Sequence, residues 1–220
     1  MKKTTKHTFA IAGVFFLLFA MLTAAVLLVD VKPVGPEQSE VGLATINAYL
    51  FEALGVHLFW YDVTDWLGIV AIAVALGFAV LGLLQWIARK SFAKVDKSIL
   101  ALGMLYIAMG VFYMGFEVFV VNYRPIIMDA GLEASYPSSH TMLVLCIMAT
   151  AIMQFRARMQ NKAVRVTASA ISAVIIAVTI IGRLISGVHW FTDIVGGLLL
   201  GTSLVLCYKA VVETMEQSKG

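Results

Sequence analysis

The stretch from residue 164 to 193, VRVTASAISAVIIAVTIIGRLISGVHWFTD, decides how this chain is read. Its first part, 164–182, is apolar apart from Arg165 and small hydroxyl residues, the composition of a helix that crosses hydrocarbon. Gly182 and Arg183 close that run, His189 and Asp193 follow, and a second apolar run starts at 193. An arginine, a histidine and an aspartate caught between two such runs sit near a membrane surface and are candidates for a functional site.

Working outward, further apolar runs cover 8–29, 66–88, 98–121 and 139–155 before this stretch, and the last covers 193–212. The chain is 61% hydrophobic and 13% charged, with a mean hydropathy of +0.93, which excludes an ordinary soluble domain. The fold expected is all-α: a six-transmembrane helical bundle making one domain over residues 1–220, with an additional interfacial helix between the first two spans. The runs 139–155 and 164–182 are short for spanning helices, so they are expected to recruit neighbouring residues or to sit in thinned bilayer. The first run follows Lys2, Lys3 and Lys6 and is too long for a signal-peptide core, so it is read as a retained helix.

Placing the N-terminus in the cytoplasm puts thirteen of the sixteen basic residues on that side, in the inner segments around 2–6, 89–97, 156–165 and 209–219. Both termini are then cytoplasmic, and only Lys32, Arg124 and Arg183 face outward. The net charge of +3 is explained by membrane orientation, and no basic stripe suited to nucleic acid is present. Residues 31–64 begin with Lys32-Pro33 and Gly35-Pro36 and turn apolar from Val41 to Tyr61. They are read as a helix in the outer interface ending at Phe59-Trp60-Tyr61, serving as cover for the bundle or as a substrate guide. Cys146 and Cys207 lie inside apolar runs and are assigned no chemistry. Gly197 and Gly201 are spaced for close helix contact.

Three outward segments hold nearly all the reactive groups: Asn122-Tyr123-Arg124-Pro125, Tyr136-Pro137-Ser138-Ser139-His140, and Gly182-Arg183 with His189 and Asp193. Convergence of three separate parts of the chain at one end of a bundle is what a pocket requires. Arginine forks match phosphate oxygens, so Arg124 and Arg183 suit an anionic substrate, against the plainer reading of arginines reaching lipid headgroups. Pro137 can begin a helix whose free backbone N–H groups near Ser138 and Ser139 cradle an anion, although an ordinary serine cap fits as well. His189 and Asp193 are four apart, so on a helix the carboxylate would orient one ring nitrogen and leave the other nucleophilic. A second histidine, His140, could then donate a proton to a departing oxygen.

The order Arg-Pro, Pro-Ser-Ser-His, Arg-x5-His-x3-Asp resembles the tripartite signature of the type 2 phosphatidic acid phosphatases, which share a helical core with vanadium haloperoxidases. The resemblance covers about residues 65–205, with Gly182 where the family often has Ser and Ser139 where it commonly has Gly. It implies that His189 is the nucleophile that becomes phosphohistidine, that Asp193 orients it, and that His140 is the general acid. It implies further that Arg124, Arg183 and the amides around Ser138 and Ser139 bind phosphate, with no metal and no cofactor. One position departs from the pattern: Glu117 stands where the family motif has a lysine. A carboxylate in place of a cation changes the site's electrostatics, so Glu117 is a candidate modulator. An ion pair with Arg124 or Arg183 is favoured, with a protonated state or contact with a cationic part of the substrate as alternatives.

The resemblance and the residues together predict a membrane phosphatase acting on a phosphate monoester or diphosphate carried by a lipid, of the phosphatidic acid, phosphatidylglycerol phosphate or polyprenyl diphosphate class. Its partners are then a lipid phosphate substrate and membrane lipids. The expected location is a bacterial plasma membrane with the active site facing outside, and the oligomeric state stays open. The alternatives are a non-hydrolytic phospholipid-headgroup binding or transport protein, which the Glu117 departure supports, and a vanadium haloperoxidase.

Overall fold

A computed structural model describes residues 3–129 and 131–217. The helices are α1 (Lys3–Leu28), α2 (Ala44–Leu54), α3 (Leu58–Arg89), α4 (Lys97–Val118), α5 (Ser139–Arg158), α6 (Lys162–Ile185) and α7 (Phe191–Gln217). Six of them, all but the short α2, are long and apolar enough to cross a membrane, so the chain is an integral membrane protein of the expected class. In α5 and α7 half of the spanning window is buried, against 17% in α1 and α3, so α5 and α7 form the centre and the others surround them. That position explains why α5 reads weakly in sequence: it faces protein more than lipid, and its mean hydropathy is 1.4 against 2.7 for α1 and α3.

Several helix ends differ from the sequence reading. At 20 and 24 residues, α5 and α6 are long enough to span without thinning the bilayer. The interfacial helix α2 ends at Leu54, because Gly55 takes a positive φ of 70° that an L side chain resists. His57 then donates its backbone N–H to Ser186 O at 3.1 Å, which turns the chain into the bundle. Phe59, Trp60 and Tyr61 therefore belong to the spanning helix α3 and not to the interfacial one. With 32 residues α3 rises about 48 Å, more than hydrocarbon thickness demands, so it has length to project beyond the hydrocarbon.

Helices in lipid gain little from the hydrophobic effect and associate through close packing. α1 lies along α7, with Ser203 Oγ donating to Ala12 O at 2.9 Å, and Phe19 stacks on Tyr136 at 6.1 Å between ring centroids. A methyl group on Gly197 would meet Ser138 O at 2.7 Å, and one on Gly201 would meet the Leu145 side chain at 3.0 Å. The Gly-x-x-x-Gly pair thus lets α7 approach α5. At the opposite end Asp96 holds Arg89 and Arg158, each at 2.8 Å, and these hydrogen bonds, Arg89 foremost, lower its pKa to about 2.

Gly182 is where α6 meets α3: a Cβ there would lie 2.5 Å from Thr64 Cγ2 and 3.4 Å from Trp60. A serine there, as the family signature more usually has, would require the Thr64 side chain to shift. Gly182→Ser is expected to destabilise the protein by about 1–3 kcal/mol through overpacking, read as a lowered thermal midpoint in detergent. An unchanged midpoint would show that Thr64 and Trp60 yield freely.

Candidate active site

Arg183, near the end of α6, has no exposed side-chain surface. A buried guanidinium must be paired. Its partner is Asp65 on α3, to which Nη2 donates, and its Cζ sits over the Tyr61 ring, 4.9 Å from the centroid. Nε and Nη1 have no hydrogen-bond partner among the described residues. The same Asp65 oxygen lies 3.1 Å from Nε2 of His140, in the first turn of α5. One carboxylate oxygen therefore joins α3, α5 and α6. Sequence reasoning missed Asp65 by starting the second span at 66; a carboxylate inside the head of a spanning helix was the available signal.

The start of α5 differs in detail from the expected cradle. Pro137 stays outside the helix, and Ser138 is its cap, with Oγ accepting from Thr141 N at 3.4 Å and from the Thr141 hydroxyl at 3.0 Å. The Ser138 amide donates to Asp193 O at 2.9 Å, so it is not available to an anion. This corrects the role expected for that amide. The amides of Ser139 and His140 remain in a first turn that offers them no intrahelical acceptor, at the positive end of the helix.

His189 lies in the turn between α6 and α7, after Gly187 at a φ of 75°. Because α7 begins only at Phe191, the four-residue spacing to Asp193 is not one face of a helix, as the sequence reading had it, but a turn followed by a cap. Asp193, the third residue of α7, folds back so that Oδ2 accepts from the Trp190 amide at 2.9 Å, the reciprocal half of a capping box. Oδ2 is 3.6 Å from His189 Nδ1, close enough for electrostatic pairing but long for a hydrogen bond. The imidazole is buried, and neither ring nitrogen has a hydrogen-bond partner among the described residues. Burial, and then the positive Arg124 and Arg183, hold its pKa well below the ordinary 6.5. It is a neutral base at neutral pH.

Arg124 is in the loop after α4, where its amide donates to Glu133 O at 3.0 Å and its Nε lies 2.8 Å from the Glu133 carboxylate. Since α4 ends at Val118, the seven residues from Glu117 to Arg124 are not two helical turns, and the carboxylates that meet the two arginines are Glu133 and Asp65. This corrects the favoured ion pair of Glu117. Glu117 does line, with Arg124, Glu133, Ser139 and His140, a cavity of about 510 Å³. A narrow crevice lined by Glu117, Arg124 and Ser139 leads to His189. Beside it, an apolar cavity of about 340 Å³ between α3, α4 and α5 is floored by Asp65, Ser139 and His140 and walled by Ile69, Ile72 and Leu143. Polar mouth and apolar cleft meet at Ser139 and His140.

Residues 118–216 match the model of the PAP2 superfamily, a segment that contains Arg124, Pro137 to His140, and Arg183 to Asp193. A crystal structure described as the first transmembrane PAP2-type phosphatidylglycerolphosphate phosphatase, from Bacillus subtilis, matches with a TM-score of 0.62 at 19% identity. The match covers 93% of this chain and 96% of that one, and shows a common fold. No curated protein matches the chain. The resemblance read from the three motifs is borne out: residues 118–216 match the PAP2 superfamily model, and the chain shares a transmembrane helical fold with a PAP2-type phosphatase.

Glu133 pairs with Nε of Arg124, the guanidinium that the motif resemblance assigns to phosphate. Glu133→Gln is expected to tighten binding of inorganic phosphate several-fold, about 1 kcal/mol for a partly exposed pair, as measured by isothermal titration in detergent. Unchanged or weaker binding would place Arg124 outside the anion site.

Proposed function

We propose that this chain is a membrane phosphatase that removes a terminal phosphate from a lipid through a phosphohistidine intermediate. The observation that carries the reading is the meeting, at Ser139 and His140, of an apolar cleft with a polar mouth that leads to a buried neutral histidine. A phosphate on an apolar tail fits both halves at once.

In the mechanism, Nδ1 of His189 faces Asp193, which leaves Nε2 to attack phosphorus. The bond from phosphorus to the lipid oxygen breaks as the nitrogen–phosphorus bond forms, and His140 supplies the proton that the departing oxygen needs. As the imidazole becomes cationic, the Asp193 carboxylate can accept from its Nδ1–H. Arg124, Arg183 and the first amides of α5 hold the charge on the phosphoryl oxygens. Water then attacks phosphorus with His140 as base, releasing phosphate and restoring His189. Asp65, bonded to both Arg183 and His140, sets the position of each, and Glu117 and Glu133 temper the positive mouth.

The substrate is of the phosphatidic acid, phosphatidylglycerol phosphate or polyprenyl diphosphate class, and the Bacillus subtilis neighbour's description puts phosphatidylglycerol phosphate first in a test panel. His189→Ala is expected to abolish phosphate release from every member of such a panel and to abolish trapping of labelled phosphate on the protein. A phosphoenzyme that persists in this variant would place the nucleophile elsewhere.

The distribution of basic residues supports an active site on the outer face, opposite the inner segments around 89–97 and 156–165, with both termini cytoplasmic. A membrane-impermeant phosphate ester offered to intact cells should therefore be hydrolysed. Hydrolysis only after permeabilisation would reverse the topology.

A further inference from the structure

The segment between α1 and α3 does more than cover the bundle. Asn47, in α2, is fully buried, and its amide is used on every side. Nδ2 donates to Thr192 Oγ1 and to Gly42 O, both at 2.9 Å, and Oδ1 accepts from the Thr192 amide at 3.2 Å. Thr192 is the second residue of α7, between His189 and Asp193, so its N–H is one of those a helix start cannot satisfy by itself. A side chain from a distant part of the chain thus caps the helix whose first turn carries the site.

Other contacts of the segment fall on the same turn. Phe51 meets Trp190 at 5.6 Å between centroids, and Trp190 Nε1 in turn donates to Tyr123 O at 2.7 Å, beside Arg124. His57 N bonds Ser186 O, and a Cβ on Gly187 would strike Gly55 O at 2.8 Å. Gly42 N donates to Asn122 Oδ1 at 3.3 Å, and Asn122 O accepts from Ser135 N at 2.9 Å, which ties the segment to the loops before and after Arg124. Residues 186 to 192 are therefore gripped from the side away from the polar mouth. The residual space behind His189, lined by Asn47, Phe51, Leu54 and Gly187, is only about 10 Å³, too small for the imidazole to swing into.

We propose that Asn47 is a positioning residue for His189: by capping α7 through Thr192, it fixes the turn that aims the imidazole at phosphorus. Asn47 touches no substrate and contributes no proton. The inference rests on the reading of His189 as nucleophile. An apolar residue of similar size leaves the Thr192 amide without its acceptor, the turn relaxes, and a misplacement on the order of 1 Å lowers the chemical step by about 10- to 100-fold. Arg124 and Arg183 are held by other partners, Glu133 and Asp65, so binding is spared.

The test compares Asn47→Leu, Thr192→Val and the double variant with the parent and with His189→Ala, in detergent, on one short-chain lipid phosphate. Asn47→Leu is expected to lower kcat and the rate of phosphoenzyme formation by about 10- to 100-fold with KM within about twofold. Thr192→Val, which keeps the backbone bond to Asn47 and loses only the hydroxyl, is expected to fall between. In the double variant the Leu and Val side chains meet without an orphaned hydroxyl, so the thermal midpoint recovers from that of Asn47→Leu while kcat stays low. Recovery of kcat together with the midpoint would make Asn47 merely structural and overturn the proposal. A folded Asn47→Leu with parental kcat, or with a raised KM alone, would overturn it as well. If Asn47→Leu does not fold, the double variant, which lacks the same cap, decides: parental kcat there sinks the proposal. Activity in His189→Ala would instead overturn the nucleophile assignment, so the two failures are distinguishable.

Discussion

A guanidinium with no exposed surface, placed near the end of a membrane-spanning helix, is the constraint around which this structure is arranged. Moving an unpaired cation out of water costs many kcal/mol, so the fold has to bring a carboxylate to Arg183. Asp65 meets that requirement only because α3 begins at Leu58 and carries its first two turns to the end of α6 that holds Arg183. The approach of α3 to α6 then demands a small residue next to the arginine, which is Gly182, with Thr64 and Trp60 against it. Since the same Asp65 oxygen also meets His140, the position of α5 is tied to the pair. Three helices are set by one charge and its counter-charge.

The other half of the site is held by helix starts and not by ion pairs. The first turn of α7 receives the Asp193 carboxylate on the Trp190 amide and Asn47 on the Thr192 amide, while Asp193 O accepts the Ser138 amide just before α5. These hydrogen bonds act together with close packing, because helix association in lipid has no hydrophobic term to draw on. Close approach of α5 and α7 through Gly197 and Gly201 brings the two helix starts together. His140 at one start lines the polar mouth, and His189 before the other lines the adjoining crevice, with Ser139 and Arg124 on both.

The spans of the outer helices were legible because lipid-facing residues are apolar over most of their circumference, and the strongest runs, in α1 and α3, are also the least buried. The run of α5 came out short for the opposite reason: Thr141, Thr150 and Gln154 face protein, where they find hydrogen bonds, and they dilute the hydropathy signal. The motif residues were legible because their chemistry is unusual at a membrane surface. Asp65, Glu133 and Asn47 were not, since nothing in their neighbourhood names partners that lie 118, 9 and 145 residues away. The spacing of His189 and Asp193 was seen but misread, because a four-residue interval fits a helical face and a capped turn equally well. What separates the two is the start of α7, and that start depends on a cap delivered by α2.

The two arginines are not equivalent in what an arriving anion must displace. Arg183 keeps Nε and Nη1 without hydrogen-bond partners among the described residues while Asp65 engages Nη2, so on the proposed function a phosphoryl oxygen that reaches them need not break that pair. Arg124 is paired through Nε with a carboxylate whose side chain is about a third exposed, so Glu133 can leave for water at modest cost when an anion takes its place. On the proposed function, the buried arginine is a fixed wall and the outer one an exchangeable gate. A carboxylate at position 117 is tolerable in that arrangement. It lines the same mouth as Glu133, on the side where carboxylates can rehydrate, and it stands away from Arg183, whose charge cannot be rehydrated and is already committed to Asp65.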